Sequence, residues 1–173
     1  MGSDSVAART ISSPSAVTAG QAIVSGWLLC GVLDITAAFI QAWIQAGRTP
    51  AYVLKGVASA LWGRAAIDAG AGMASIGLAM HFAVALTWTA IFFAVSRRLP
   101  LLRTAPLWIV GPLYGAVVFC VMNYGTLPAL SWLRSLYLHT PARWPGTMSW
   151  PQFGIHMVCV GPPIVWGIGR AAR

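Results

Sequence analysis

The sequence predicts an all-α integral membrane protein, a four-helix bundle with a short interfacial helix between spans 1 and 2. Three observations carry that reading. Of 173 residues, 58% are hydrophobic and only 8% charged, against about a quarter charged in an ordinary soluble domain; lipid is the solvent that suits such a chain. Four apolar runs, about 22–46, 73–96, 107–127 and 152–169, approach or exceed the roughly 20 residues of a bilayer crossing. Tryptophans stand at their ends (Trp27, Trp43, Trp108, Trp150 and Trp166), and indole rings prefer the headgroup boundary. The expected organisation is a disordered cytoplasmic tail over 1–20 and a single transmembrane domain over 21–173.

In chain order, residues 1–20 are rich in Ser, Ala and Thr and lack an apolar centre. The run that follows exceeds the 7–15 residues of a signal-peptide core, so it reads as a retained helix. Thr49 then offers an N-cap and Pro50 a first helical residue. Val53, Val57 and Leu61 recur at helical spacing with Leu54 and Ala58 alongside. This predicts a short helix that lies in the interface or packs over the bundle mouth. Gly63, Gly70 and Gly72 form joints before the second run. Residues 96–103 pack Arg97, Arg98 and Arg103 into a tight loop. Residues 128–151 carry Trp132, Tyr137, Trp144 and Trp150 with Arg134 and Arg143, and read as an aromatic interfacial loop. Internal symmetry of the transporter kind is not evident.

The net charge of +8 arises from 11 Lys and Arg against Asp4, Asp34 and Asp68. The cations flank apolar runs, where they meet anionic lipid headgroups. No basic stripe is interleaved with aromatics, so nucleic acid is not an expected partner. The 96–103 cluster shares its side with Arg9, Arg170 and Arg173, opposite Arg48, Lys55, Arg64, Arg134 and Arg143. Weighting the tight cluster places both termini in the cytoplasm. Cys30, Cys120 and Cys159 form no CxxC pair and read as small buried hydrophobes.

Ionisable groups within a span cost at least ~2.5–3.5 kcal/mol to insert, so function is sought at Asp34, His81, Asn123 and His156. Asp34 begins a polar stripe continued by Gln41 and Gln45, which should face the bundle interior or a cleft; its carboxyl can carry a proton, pair with a cation or bond two helices. Gly77 and Ala85 flank His81 and allow close helix approach. At about 1.5 Å rise per residue, His81, Asn123 and His156 fall within roughly 15 Å of the outer boundary and Asp34 about 18 Å from it. An Asp, two His and an Asn from four helices can then converge. That composition suits a proton or ion relay, a metal site or plain interhelical hydrogen bonding. No cofactor is predicted as required, and a metal or haem at His81 and His156 is the minor alternative. Pro162 and Pro163 interrupt the fourth run and free the carbonyls of Val158 and Cys159, giving a helix kink and a polar demand beside His156. Gly111 and Gly115 form a GxxxG spacing suited to close packing or dimerisation.

Several segments together carry a resemblance: residues 31–35 around Asp34, 47–50 with 53–59, 77–82 ending in His81-Phe82, 96–100, and Val121-Met122-Asn123-Tyr124. In order and spacing they resemble a family of uncharacterised small bacterial inner-membrane proteins with four predicted transmembrane helices. The resemblance spans about 31–128. It implies a multi-pass location in a bacterial inner membrane and puts Asp34, His81 and Asn123 in matching segments, without a catalytic role. Three functions follow as expectations: a small transport or permeation protein using the Asp/His cluster, which calls for a homodimer or larger partner; a structural or accessory subunit of another membrane complex; or an intramembrane metal- or haem-binding redox protein. An enzyme is disfavoured because no nucleophile–base pair, CxxC or HExxH is present.

Overall fold

Thr18 opens the first helix with a reciprocal cap: its hydroxyl oxygen accepts from the Gln21 amide at 3.2 Å, and Gln21 Oε1 accepts from the Thr18 amide at 2.9 Å. These bonds satisfy helix-start donors that have no intrahelical partner and start the helix upstream of the apolar run. Helix α1 (Ala19–Ala46) ends where Gly47 turns left-handed at φ 59°, a conformation a side chain resists. Thr49 and Pro50 start α2 (Pro50–Trp62), with the Thr49 hydroxyl accepting from the Tyr52 amide at 3.3 Å. A short α3 (Arg64–Asp68) leads into α4 (Gly72–Arg98), and α5 (Leu101–Thr104) turns the chain into α6 (Leu107–Val121). A π-helical turn over Met122–Thr126 joins α6 to α7 (Leu127–Leu138) without a break. The last run is α8 (Trp150–Ile155), a second π-turn (His156–Val160) and α9 (Gly161–Gly169). The computed structural model describes residues 18–142 and 148–169. The tail, Arg9, Arg143, Trp144, Arg170 and Arg173 lie outside the described residues.

Among the described residues, three helices are long and apolar enough to cross a membrane: Ala19–Ala46, Gly72–Arg98 and Leu107–Leu138. Residues 150–169 are helical throughout, but Pro151, Gln152, His156, Pro162 and Pro163 dilute their hydropathy, and they are not among the three. Large apolar side chains point outward along all of these helices. Ile44 is 76% exposed, Trp108 75% and Val158 68%, a surface that lipid tolerates and water does not.

The third helix departs from the sequence reading. Residues 128–138 are expected in an aromatic loop, yet they extend the helix to 32 residues, about 48 Å at 1.5 Å per residue. Pro128 is the reason the boundary looked natural, because its ring opposes the carbonyl four residues back. The π-turn widens the helix at that carbonyl and absorbs the conflict. The second π-turn stands in the same relation to Pro162 and Pro163, so the expected kink takes the form of a local widening.

Glycines set the helix order α4–α1–α9–α6. At the crossing of α9 with α1, a Cβ on Gly167 would stand 2.5 Å from the Gly26 backbone. At the α9–α6 crossing, a Cβ on Gly161 would stand 1.8 Å from the Gly111 carbonyl oxygen, and one on Gly115 would stand 2.0 Å from that of His156. The GxxxG spacing thus serves packing within the chain. Between these crossings lies a core of Ala22, Cys30, Val110, Val118, Val160, Ile164 and Ile168. Cys30 is buried as expected, but Cys120 is exposed on the outer face of α6. Buried hydroxyls turn back on their own helices, Thr89 onto the Ala85 carbonyl at 2.8 Å and Ser96 onto that of Phe93 at 2.9 Å, which removes their cost in an apolar interior.

Helix α2 folds against α4, where Gly77 admits it so closely that a Cβ would meet the Leu54 carbonyl oxygen at 1.9 Å. Its C-terminal carbonyls are capped from α7: Arg134 Nη1 donates to Ser59 at 2.8 Å and to Ala60 at 3.0 Å, and the Tyr137 hydroxyl donates to Leu61. A guanidinium at a helix C-terminus also opposes the helix dipole. The overlong third helix therefore holds the short helix in place.

Candidate functional site: a polar cavity beneath α2

Of the two outcomes expected for α2, the structure has it packed over the bundle mouth. Val53, Gly56, Val57 and Ala60 of α2 roof a cavity of about 400 Å³. Asp34 enters it from α1, His81 from α4, Asn123 from the first π-turn, and Gln152 and His156 from α8 and the second π-turn. The four residues singled out from the sequence thus line one space. Apart from Thr126, the remaining walls are apolar and include Met80, Val84, Trp88, Met122 and Leu130. Each π-turn carries one of the polar side chains, Asn123 or His156. Such turns are frequent at functional sites because they re-aim side chains out of the regular helical register.

The geometry at Asp34 and His81 fixes a tautomer. His81 Nε2 lies 2.8 Å from the Gly31 carbonyl oxygen, and a carbonyl can only accept, so Nε2 carries the hydrogen. In the neutral ring Nδ1 is then a bare acceptor, and it faces Asp34 Oδ2 at 4.0 Å. At that distance the two atoms face each other without a direct hydrogen bond. His156 is fixed the same way, with Nδ1 2.9 Å from the Gln152 carbonyl oxygen. Its Nδ1 is the donor and its Nε2 is left with a free lone pair. Asn123 donates its amide N–H to the Phe119 carbonyl at 3.0 Å. One N–H of each of these three lining residues is thus taken by a backbone carbonyl. On the acceptor side, Asp34 Oδ1 and Gln152 Oε1 are buried with no hydrogen-bond partner.

The stripe beyond Asp34 does not reach the cavity. Gln41 and Gln45 lie outside its lining, and Gln41 Nε2 donates to Gln45 Oε1 at 3.4 Å. Helix α2 leans on α4 more than on α1, so the last turns of α1 stand clear, with Gln45 exposed. Concerning a metal or haem at His81 and His156, no group of three or more His, Cys, Asp or Glu able to hold a metal ion occurs among the described residues.

Aromatic residues pack behind one wall of the cavity. Trp88 lines its floor, and the Tyr114 hydroxyl donates to the Trp88 carbonyl at 2.6 Å. The Tyr114 ring also packs on Phe92, one turn further along α4, with centroids 4.7 Å apart. Phe92 in turn lines a second cavity, of about 320 Å³, at the opposite end of the bundle beside Arg103 and Thr104. Tyr114 therefore touches one lining residue of each cavity, Trp88 and Phe92.

Neither a family model, nor a curated protein, nor a solved structure matches this chain. The functional reading rests on its own residues. Sequence reasoning missed three of them. Tyr114 was passed over as a residue inside the GxxxG spacing, although a phenol within a span needs a partner for its hydroxyl. Gln152, one turn before His156, was not singled out. Arg134 was assigned to a loop, although an arginine among aromatics at a membrane edge signals a helix-end cap as readily as a headgroup contact.

Proposed function

We propose that the chain is a four-span membrane protein that moves a small solute, with Asp34 and His81 as the binding pair. The observation that carries this reading is the pair of cavities at opposite ends of one bundle, with Trp88 and Phe92, one turn apart on α4, lining one each. A path interrupted by one thin barrier is what alternating exposure of a buried site requires, and a solute site near mid-depth is the usual transporter arrangement. Residues 150–169 supply the fourth crossing in this reading. Their helical run of about 30 Å matches the hydrocarbon thickness, and they lie between α1 and α6 along their whole length. The cluster of Arg97, Arg98 and Arg103 faces the cytoplasm, so the α2-covered cavity faces away from it, and the membrane is a bacterial inner membrane. A homodimer or larger assembly provides the scaffold against which four helices rearrange.

The packing weighs against the accessory-subunit alternative. A docking subunit should turn a small-residue face outward, whereas Gly26, Gly111, Gly115, Gly161 and Gly167 are consumed in internal crossings. The test is flux into proteoliposomes, using a panel of small anionic, neutral and cationic solutes. At least one class is expected to enter ten-fold faster than into protein-free vesicles, and Asp34→Asn or His81→Ala should return it to background. Background flux for every class with folded protein would overturn the reading, as would variants that transport like the parent.

A further inference from the structure

Resting on the solute-binding reading above, we propose that the α2-covered cavity selects small organic ammonium ions that carry N–H groups and an apolar body. The inference starts from buried acceptors that have no partner. Around the cavity one N–H each of His81, His156 and Asn123 is bonded to the Gly31, Gln152 and Phe119 carbonyls, which leaves the second Asn123 N–H and the Gln152 amide N–H groups as donors. Beside these donors stand acceptors: Asp34 Oδ1 and Gln152 Oε1, both buried without partners, and the ring nitrogens His81 Nδ1 and His156 Nε2, which the carbonyl bonds leave unused. A buried unpaired acceptor costs about 1–3 kcal/mol. A ligand that brings donors removes that cost, and one that brings only acceptors adds to it.

Charge points the same way. The protein carries a net +8, yet neither Lys nor Arg lines this cavity and its one carboxyl is Asp34. The basic residues nearest its roof are engaged elsewhere, Lys55 with the Ile67 and Ala69 carbonyls and Arg134 with the end of α2. An anion entering the cavity therefore meets no cation, while an ammonium meets Asp34. The 4.0 Å between His81 Nδ1 and Asp34 Oδ2 is too long for a direct hydrogen bond but suits a shared guest. Two N–H donors on one tetrahedral nitrogen, each making a bond of about 2.8 Å, reach acceptors roughly 4.5 Å apart. Trp88 and the aliphatic walls receive the rest of the molecule, and the indole face adds attraction for a cation. A bare metal ion makes poor use of such walls.

Such an ammonium has two sources, a free amine or the ethanolamine headgroup of a lipid. Isothermal titration calorimetry on purified protein in mild detergent separates the possibilities, using phenethylammonium, 2-phenylethanol and phenyltrimethylammonium as probes. Phenethylammonium is expected to bind at least ten-fold more tightly than either comparison compound. Asp34→Asn, which keeps the shape of the side chain, should remove that preference. Equal binding of alcohol and amine would overturn the role of charge, and equal binding of the quaternary ion would overturn the role of N–H donors. Repeating the titration in micelles doped with phosphatidylethanolamine or phosphatidylcholine identifies the source. Competition by the former alone assigns the headgroup, and its absence assigns the free amine. If phenethylammonium fails to bind while an anionic or neutral solute enters proteoliposomes in an Asp34-dependent way, the ligand class is wrong and the transport reading stands. If neither occurs, both fall.

Discussion

Gly161→Val is expected to leave little or no monodisperse protein after extraction from membranes. The Cβ of any residue at 161 would fall 1.8 Å from the Gly111 carbonyl oxygen and 2.6 Å from the Gly115 amide nitrogen. Both obstacles are backbone, so no rotamer change relieves them, and α9 must separate from α6. Ordinary overpacking costs about 1–3 kcal/mol where side chains can adjust; here the loss should exceed that range, because the whole crossing opens. Gly154→Ala is the matching control, since a Cβ there meets nothing within 4 Å. Replacing glycine within a helix stabilises it by roughly 0.5–1 kcal/mol. Size-exclusion profiles and thermal unfolding in detergent distinguish the two, with collapse expected for the first and parental or better behaviour for the second. A well-folded Gly161→Val protein would contradict the helix order described here.

Tyr114→Ala should have the opposite character: a folded protein that leaks. Tyr114 links Trp88 and Phe92, which line one cavity each, through its ring contact with Phe92 and its hydrogen bond to the Trp88 carbonyl. Truncation to alanine removes the ring and joins the two hollows, at a stability cost of about 3–5 kcal/mol for a large aromatic in a packed site. Small-solute efflux from proteoliposomes is then expected to rise ten-fold or more above the parent and to lose its dependence on Asp34. Tyr114→Phe keeps the ring and should keep the barrier, losing only one hydrogen bond, about 1 kcal/mol. Efflux from Tyr114→Ala vesicles no faster than from the parent would show that the aromatic layer is not the barrier.

Much of this arrangement was legible from residue order. The Thr49-Pro50 start and the 53–57–61 spacing define α2, and the cost of polar groups in lipid singles out Asp34, His81, Asn123 and His156. What was hidden depends on helix rotation and on local departures from α geometry. The continuation of α6 into α7 was obscured because Pro128 marks a helix boundary unless a π-turn precedes it. The polar stripe through Gln41 and Gln45 has the right period, but where the cavity ends is decided by α2 leaning on α4. The role of Tyr114 depends on α6 presenting it to α4 across a gap, a matter of tertiary register that the GxxxG spacing does not encode. That spacing predicts close approach, and only the fold identifies Gly161 as its partner.

The central claim is that Asp34 lies in a cavity reached by water from one side. Its most direct test is a single cysteine at that position, Asp34→Cys, in a background where Cys30, Cys120 and Cys159 are replaced by alanine or serine. Reconstituted vesicles are exposed to a membrane-impermeant charged thiol reagent on either face. The account predicts modification from the face covered by α2 and little from the other. A cysteine that stays unmodified from both faces, yet reacts fully once the protein is unfolded in strong detergent, would contradict it and leave a sealed, structural core.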